Sequence, residues 1–171
     1  MKRRITISDY STNRLGRFLS MSALWPDTLR LGLLQFAFGR YVPYFRTSKA
    51  RLQSVAPTQV SVCIPFNRRT RNHMGGVHAV AATLAAETAA GLLVGLNVAD
   101  GLVVVVKEIH IELSKGYKGS VVATAAVDQS AIDIMRKQNK GALSIAVVIE
   151  DSAGNTPIKG RMEMAWLPAR K

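Results

Sequence analysis

Between Arg71 and Asn97 the sequence reads RNHMGGVHAVAATLAAETAAGLLVGLN, and four side chains in it are able to do chemistry. Asn72, His73 and His78 cluster at its start, with Gly75 and Gly76 between them, while Glu87 stands alone in a run of small and apolar residues. A carboxylate in such a place can act as a general base. The free N–H groups that open a helix, reinforced by its dipole, can hold an anion or an oxygen that becomes negative during reaction. His78 and Glu87 are nine residues apart, about 900° of helical rotation, so they face opposite ways on one helix. They come together only if two copies of the chain, related by a two-fold axis, each supply one of them.

The run from Ala79 to Leu96 is apolar all round, which predicts a buried helix starting near Gly76. Burying Glu87 there costs several kcal/mol unless the carboxyl is paired, hydrogen-bonded or protonated. Two readings stay open, a satisfied structural carboxylate and a functional one. A transmembrane span is disfavoured, since an acidic group at a bilayer centre costs about 2.5–3.5 kcal/mol.

Around that helix the pattern changes period. The first twenty or so residues are polar and predict irregular chain, and WPDTLRLGLLQFAFGRY predicts a helix with Pro26 in its first turn. That helix either packs on the domain or serves as a lid over an acyl pocket or a membrane-surface contact. ARLQSVAPTQVSVCIPF predicts a strand and NRRTRN a polar loop. After the long helix, LVVVVKEIHIEL and SVVATAAV predict antiparallel partners across GYKG. A weakly helical polar stretch, DQSAIDIMRKQNKG, leads to two more strands, ALSIAVVIED and PIKGRMEMAWL. Strands against one long helix imply an α+β domain in which a curved antiparallel sheet wraps the helix.

The chain has 171 residues, 48% hydrophobic and 20% charged, enough apolar surface for one domain with a substantial core. A single cysteine, Cys63, excludes an intramolecular disulfide framework and suggests a reducing, cytoplasmic setting; it reads as a buried structural thiol. The N-terminus lacks the apolar segment of a secretory signal. Net charge is +12: Met1 to Arg51 holds ten Lys and Arg against two Asp, a net of +8, and the remainder holds thirteen against nine acids, a net of +4. Such a surface attracts polyanions, so weak nucleic-acid or membrane-surface contact through the basic N-terminus is a lower-ranked expectation. No zinc-finger, RNA-recognition or helix-turn-helix signature accompanies it.

NHMGGVHAVAATLAAETA resembles the motif of hotdog-fold acyl-CoA thioesterases of the phenylacetyl-CoA thioesterase type, N-x-x-G-x-x-H-G-G followed by an acidic residue nine after the histidine. Asn72, Gly75, His78 and Glu87 fall in its register. As a whole the chain resembles more closely the related hotdog families of uncharacterised function. The resemblance covers about Thr47 to Leu167 and implies a hotdog domain over residues 47–171, preceded by a basic helical extension over 1–46. It implies acyl-thioester hydrolysis in a homodimer or dimer of dimers, with Glu87 as base or nucleophile. The Ala79 N–H after His78 would polarise the carbonyl and Asn72 would orient water or substrate. His73, Gly75 and Gly76 are then candidate substrate contacts. Where the family has His-Gly-Gly this chain has His78-Ala79-Val80, which keeps the N–H but loses glycine's freedom for close approach. Binding of an acyl thioester without turnover is therefore an alternative. So is 3-hydroxyacyl thioester dehydration, because His73 and Glu87 have the fourteen-residue separation of the hotdog dehydratases, although their Phe-Pro-Gly is absent.

Arg68, Arg69, Arg71, Lys115 and Lys118 are candidate donors to the phosphates of coenzyme A, or else solvated loop charges. No cofactor is expected, since coenzyme A is part of the substrate. His73, His78 and Glu87 lack the i, i+4 spacing of a helical zinc site, so no metal is expected, and there is no Gly-x-Ser-x-Gly elbow. His110, inside an alternating strand, reads as an ordinary strand residue.

Overall fold

Residues 13–169 are described by a computed structural model. Three short helices come first, α1 (Arg14–Met21), α2 (Asp27–Tyr41) and α3 (Pro43–Thr47). They lead into β1 (Arg51–Ala56), β2 (Gln59–Ile64), the long helix α4 (Ala79–Asn97), β3 (Leu102–Leu113) and β4 (Val121–Ala126). The chain ends with α5 (Gln129–Lys137), β5 (Gly141–Asp151) and β6 (Ile158–Pro168). The six strands make one antiparallel sheet in the order β1-β2-β4-β5-β6-β3, with α4 lying across it.

Alanine, the strongest helix former, also gives α4 its packing. Ala82, Ala85, Ala86, Ala89 and Ala90 are fully inaccessible, and such short side chains let the helix backbone lie close to the sheet. Val60, Val62 and Ile64 of β2 and Val121, Ala123 and Ala125 of β4 join it in the core. Each fully buried Leu or Ile, such as Leu93 or Ile64, contributes about 1.5–3 kcal/mol. Among the described residues α4 is the one helix long and apolar enough to cross a bilayer, and it is spent on this core.

Four expectations change. The stretch from Ala50 to Phe66 is a hairpin rather than one strand, turning at Pro57 and Thr58 between the paired Ala56 and Gln59, because proline cannot donate to a ladder. β3 pairs with β6, from Leu102 opposite Pro168 to Leu113 opposite Ile158, while β4 inserts between β2 and β5. The burial pattern gives the reason: Val121, Ala123 and Ala125 need covering on a central strand, whereas β3 is largely exposed. α4 begins at Ala79, after the loop at Gly75 and Gly76. Finally, part of the polar N-terminal region is helical, as α1; residues 1–12 lie outside the described residues. Asn13 caps α1 by accepting the Gly16 N–H at 2.7 Å, and Leu19 is wholly buried.

The N-terminal helices are tied to the domain at two points. The Asn13 side-chain amide donates to the carbonyls of Gly95, Leu96 and Val98 at 2.8, 3.3 and 2.7 Å, satisfying the C-terminal end of α4. Gln35 on α2 accepts the Leu52 N–H at 3.1 Å, closing part of the outer edge of β1. At the other end of the sheet β3 has no neighbour on its outer side among the described residues.

Candidate functional site

The loop before α4 is built around Asn72. Its Oδ1 accepts the N–H groups of Met74 and Gly76, both at 2.9 Å, and its own N–H donates to the Gly76 carbonyl at 2.7 Å. Gly75 sits at φ +83°, the left-handed region that glycine enters without strain. A side chain on Gly76 would press on the Tyr117 carbonyl at 3.1 Å, so this glycine lets the loop meet the β3–β4 connection. The Asn72 carbonyl is thus committed to shaping the loop, and its amide Nδ2 has no partner among the described residues. His73 is exposed on the same loop and makes no hydrogen bond there.

His78 caps α4 with its ring: Nδ1 accepts the Val80 N–H at 3.2 Å, which requires that nitrogen to be unprotonated, and the His78 carbonyl accepts from Ala81 and Ala82. The Ala79 N–H is left without an acceptor among the described residues, at the positive end of a nineteen-residue helix. A donor in this position can hold an oxyanion.

Glu87 lies eight residues further on, about 12 Å along the helix axis. It belongs to a stripe spaced four apart, Thr83, Glu87, Gly91 and Gly95, that the sheet does not cover, so it is half-buried rather than enclosed. It has no hydrogen bond or ion pair among the described residues. Glu87, Gly91 and Gly95 of this stripe floor a groove of about 620 Å³ bounded by Leu84 and Leu92 of α4, Val104 and Val106 of β3, and Tyr41 and Tyr44. Glu87 is the one charged residue lining it. Beyond Gly95 the groove continues into a space of about 820 Å³ roofed by Leu15 and Phe18 of α1 and Leu33, Ala37 and Tyr41 of α2. A side chain on Gly95 would meet nothing within 4 Å.

The structure therefore does not bring all the sequence candidates together in one chain. Asn72, His73, Gly75, Gly76, His78 and Ala79 gather at the N-terminus of α4, and none of them lines the Glu87 groove. Arg68, Arg69 and Arg71 on one loop and Lys115 and Lys118 on the next are all exposed. Those two loops are joined by the Gly76–Tyr117 approach and by the Phe66 N–H donating to Ser120 Oγ at 3.0 Å. None of the five cations is ion-paired among the described residues. Cys63 is buried, and burial pushes its thiol above the ordinary value, the opposite of an activated nucleophile. His110 is exposed on β3 opposite Arg161. Among the described residues no three metal-binding side chains gather. Sequence reasoning missed Gly91 and Gly95, although their four-residue spacing from Glu87 was a readable signal; the roofing residues Leu33 and Tyr41 belong to the helix for which a lid was one of the expected roles.

A family model described as "Domain of unknown function (DUF4442)" matches residues 32–167, starting inside α2. Among solved structures the chain is similar to a protein of unknown function from Pseudomonas aeruginosa described as a probable thioesterase, with a TM-score of 0.72 and 19% identity over 81% of this chain and 95% of that one. A protein of unknown function from Chlorobaculum tepidum gives 0.69 and 17% over 86% and 99%. A thioesterase from Haemophilus influenzae gives 0.62 and 15% over 75% and 85%. Among curated proteins there is no match. The Pseudomonas and Haemophilus neighbours are hotdog-fold proteins of the thioesterase type, and the fold of this chain, a six-stranded antiparallel sheet with one central helix, is the hotdog fold.

Proposed function

The chain belongs to the DUF4442 family, and from that footing we propose that it hydrolyses acyl-CoA thioesters in sites shared between two copies of the chain. The observation that carries this reading is Glu87: an unpaired, half-buried carboxylate, the one charge in a mainly apolar groove, midway along a helix that packs on the sheet through apolar side chains. A structural carboxylate would have found a partner. In the proposed reaction Glu87 takes a proton from water as the water oxygen bonds to the thioester carbon. The carbonyl oxygen, now negative, is held by the Ala79 N–H of the second copy, and Asn72 Nδ2 is the donor left to steer substrate. The C–S bond then breaks, the thiolate leaves, and Glu87 returns its proton to it. Direct attack by the carboxylate, followed by hydrolysis of the anhydride, uses the same groups. The acyl chain lies along Gly91 and Gly95 beneath α1 and α2, and the exposed cations at Arg68, Arg69, Arg71, Lys115 and Lys118 receive the coenzyme A phosphates.

Two copies are required because one chain keeps its base and its donor about 12 Å apart along α4. The bare twelve-residue edge of β3, with Val103, Val105, Ile109 and Leu113 exposed, supports pairing with a second copy. The test is thiol release from short, long and aromatic acyl-CoAs. Glu87→Gln lowers kcat by about 10²- to 10⁴-fold with the melting temperature unchanged; a fully active variant removes Glu87 from the mechanism. Mixing inactive Glu87→Gln with inactive Asn72→Ala restores activity. Half the randomly exchanged dimers are mixed and each holds one intact site of two, so recovery approaches about a quarter of wild type. Exchange proven by mass spectrometry without recovery refutes the shared site.

A further inference from the structure

α2 is apolar on both sides, and only one side faces the protein. Leu31, Leu34 and Phe38 pack inward. Leu29, Leu33 and Phe36, spaced i, i+4, i+7, fall within about 60° of one another on the opposite side. They are 51, 43 and 77% exposed, and the turn before them adds Leu24 at 97% and Trp25 at 44%. An outward apolar stripe of this kind is costly in water. Arg40 continues the stripe by one turn, at the mouth of a cavity of about 450 Å³ between α2, α3 and β1. Four cations line that cavity, Arg40, Arg46, Lys49 and Arg51, and no carboxylate does. None of the four has an ion pair among the described residues. Lys49 adopts φ 62°, a left-handed conformation that strains a residue with a side chain, at the turn from α3 into β1. Phe36 belongs to both the stripe and the cavity lining.

We propose that this face docks on the surface of an anionic phospholipid bilayer. Leu24, Trp25, Leu29, Leu33 and Phe36 enter the boundary between headgroups and acyl chains, and a lipid phosphate seats among Arg40, Arg46, Lys49 and Arg51. Exposed aliphatic and aromatic side chains beside uncompensated cations are what such a surface selects; a nucleic acid would use the cations and leave Leu24, Leu29 and Leu33 in water. The other side of α2, through Leu34 and Ala37, roofs the groove, so one helix separates the bilayer from that groove.

Trp25 reports the contact, because the other tryptophan, Trp166, is wholly buried. The full chain is mixed with vesicles of phosphatidylcholine alone and of equimolar phosphatidylcholine and phosphatidylserine, and partitioning is followed by sedimentation and by tryptophan emission. Binding to the anionic vesicles with a blue shift that Trp25→Phe abolishes is expected, with none to the neutral ones. Arg40→Gln combined with Arg46→Gln lowers partitioning by about 30-fold, and Phe36→Ser lowers it at every salt concentration; the exposure of these side chains leaves melting temperatures unchanged. Equal binding to both vesicle types overturns the proposal. So does binding to duplex DNA that matches the anionic vesicles without a Trp25 shift. A blue shift that appears without vesicles as protein concentration rises, and that Phe36→Ser removes, assigns the face to a second copy instead.

Discussion

Asn13 occupies two hydrogen-bonding roles at once, and substitution separates them. Its Oδ1 caps α1 through Gly16, while its amide nitrogen donates to three carbonyls at the end of α4, from a position only 6% exposed. Asn13→Ala removes both. Loss of a helix cap costs about 1 kcal/mol, and leaving buried carbonyls without a donor costs about 1–3 kcal/mol, so the sum is about 2–4 kcal/mol. For a chain of this size each kcal/mol moves the melting temperature by about 2–4 °C, which predicts a drop of about 4–16 °C. Asn13→Asp keeps the cap but turns a donor into an acceptor against three carbonyls, and buries a charge. It is therefore at least as destabilised as the alanine variant. Because Asn13, Leu15 and Phe18 line the space beneath α1, both variants also raise KM for long acyl chains more than for short ones. Urea unfolding followed through buried Trp166 measures the first effect. An Asn13→Asp protein within about 0.5 kcal/mol of wild type would show that the α4 carbonyls do not need this amide, and the account of how α1 is anchored would fail.

Two other outcomes follow from the same geometry. Gly95→Leu fills the groove without a backbone clash, since a Cβ there meets nothing within 4 Å; thiol release from long acyl-CoAs falls by about 10- to 100-fold while short ones are spared, and an unchanged chain-length profile takes the acyl group out of this groove. At Asp151 burial opposes ionisation, but hydrogen bonds from the N–H and side-chain amide of Asn155 and the N–H groups of Lys118 and Ala153 outweigh it and hold the carboxyl below the ordinary carboxylate value. The stability this adds is present above that ordinary value, about 3.9, and is lost as pH falls through the lowered one. The melting-temperature gap between wild type and Asp151→Asn should hence be flat above about pH 5 and narrow in acid; a gap that widens on acidification contradicts the assignment.

What the sequence disclosed was whatever short-range pattern controls. The alanine-rich run gave α4, and alternation gave β4, β5 and β6, because neighbours within a few residues decide those elements. The pairing of β3 was hidden, since its partner β6 lies more than forty residues on and the choice between edge and centre depends on which face needs covering. α1 was hidden for a related reason: it is fixed by carbonyls 82 to 85 residues away from Asn13. Glu87 was visible as an anomaly in composition, but its surroundings were misjudged. A helix apolar on all sides was expected to be enclosed, whereas the sheet covers it incompletely and the small residues at Gly91 and Gly95 mark where it stops. The helical rotation between His78 and Glu87 was computable in advance, and the two side chains do have separate surroundings.

The two outer strands of the sheet are finished differently, and that difference sets the arithmetic of assembly. β1 has its outward N–H at Leu52 taken by Gln35 and α2 lying alongside, while β3 is open along its length. If two copies join through β3, the doubled sheet has only β1 edges at its ends, and each is capped in part by Gln35. Growth by strand addition then terminates after one step. A substitution that frees the β1 edge, with Gln35→Ala as the smallest, would convert a self-limiting pair into a unit that is sticky at both ends.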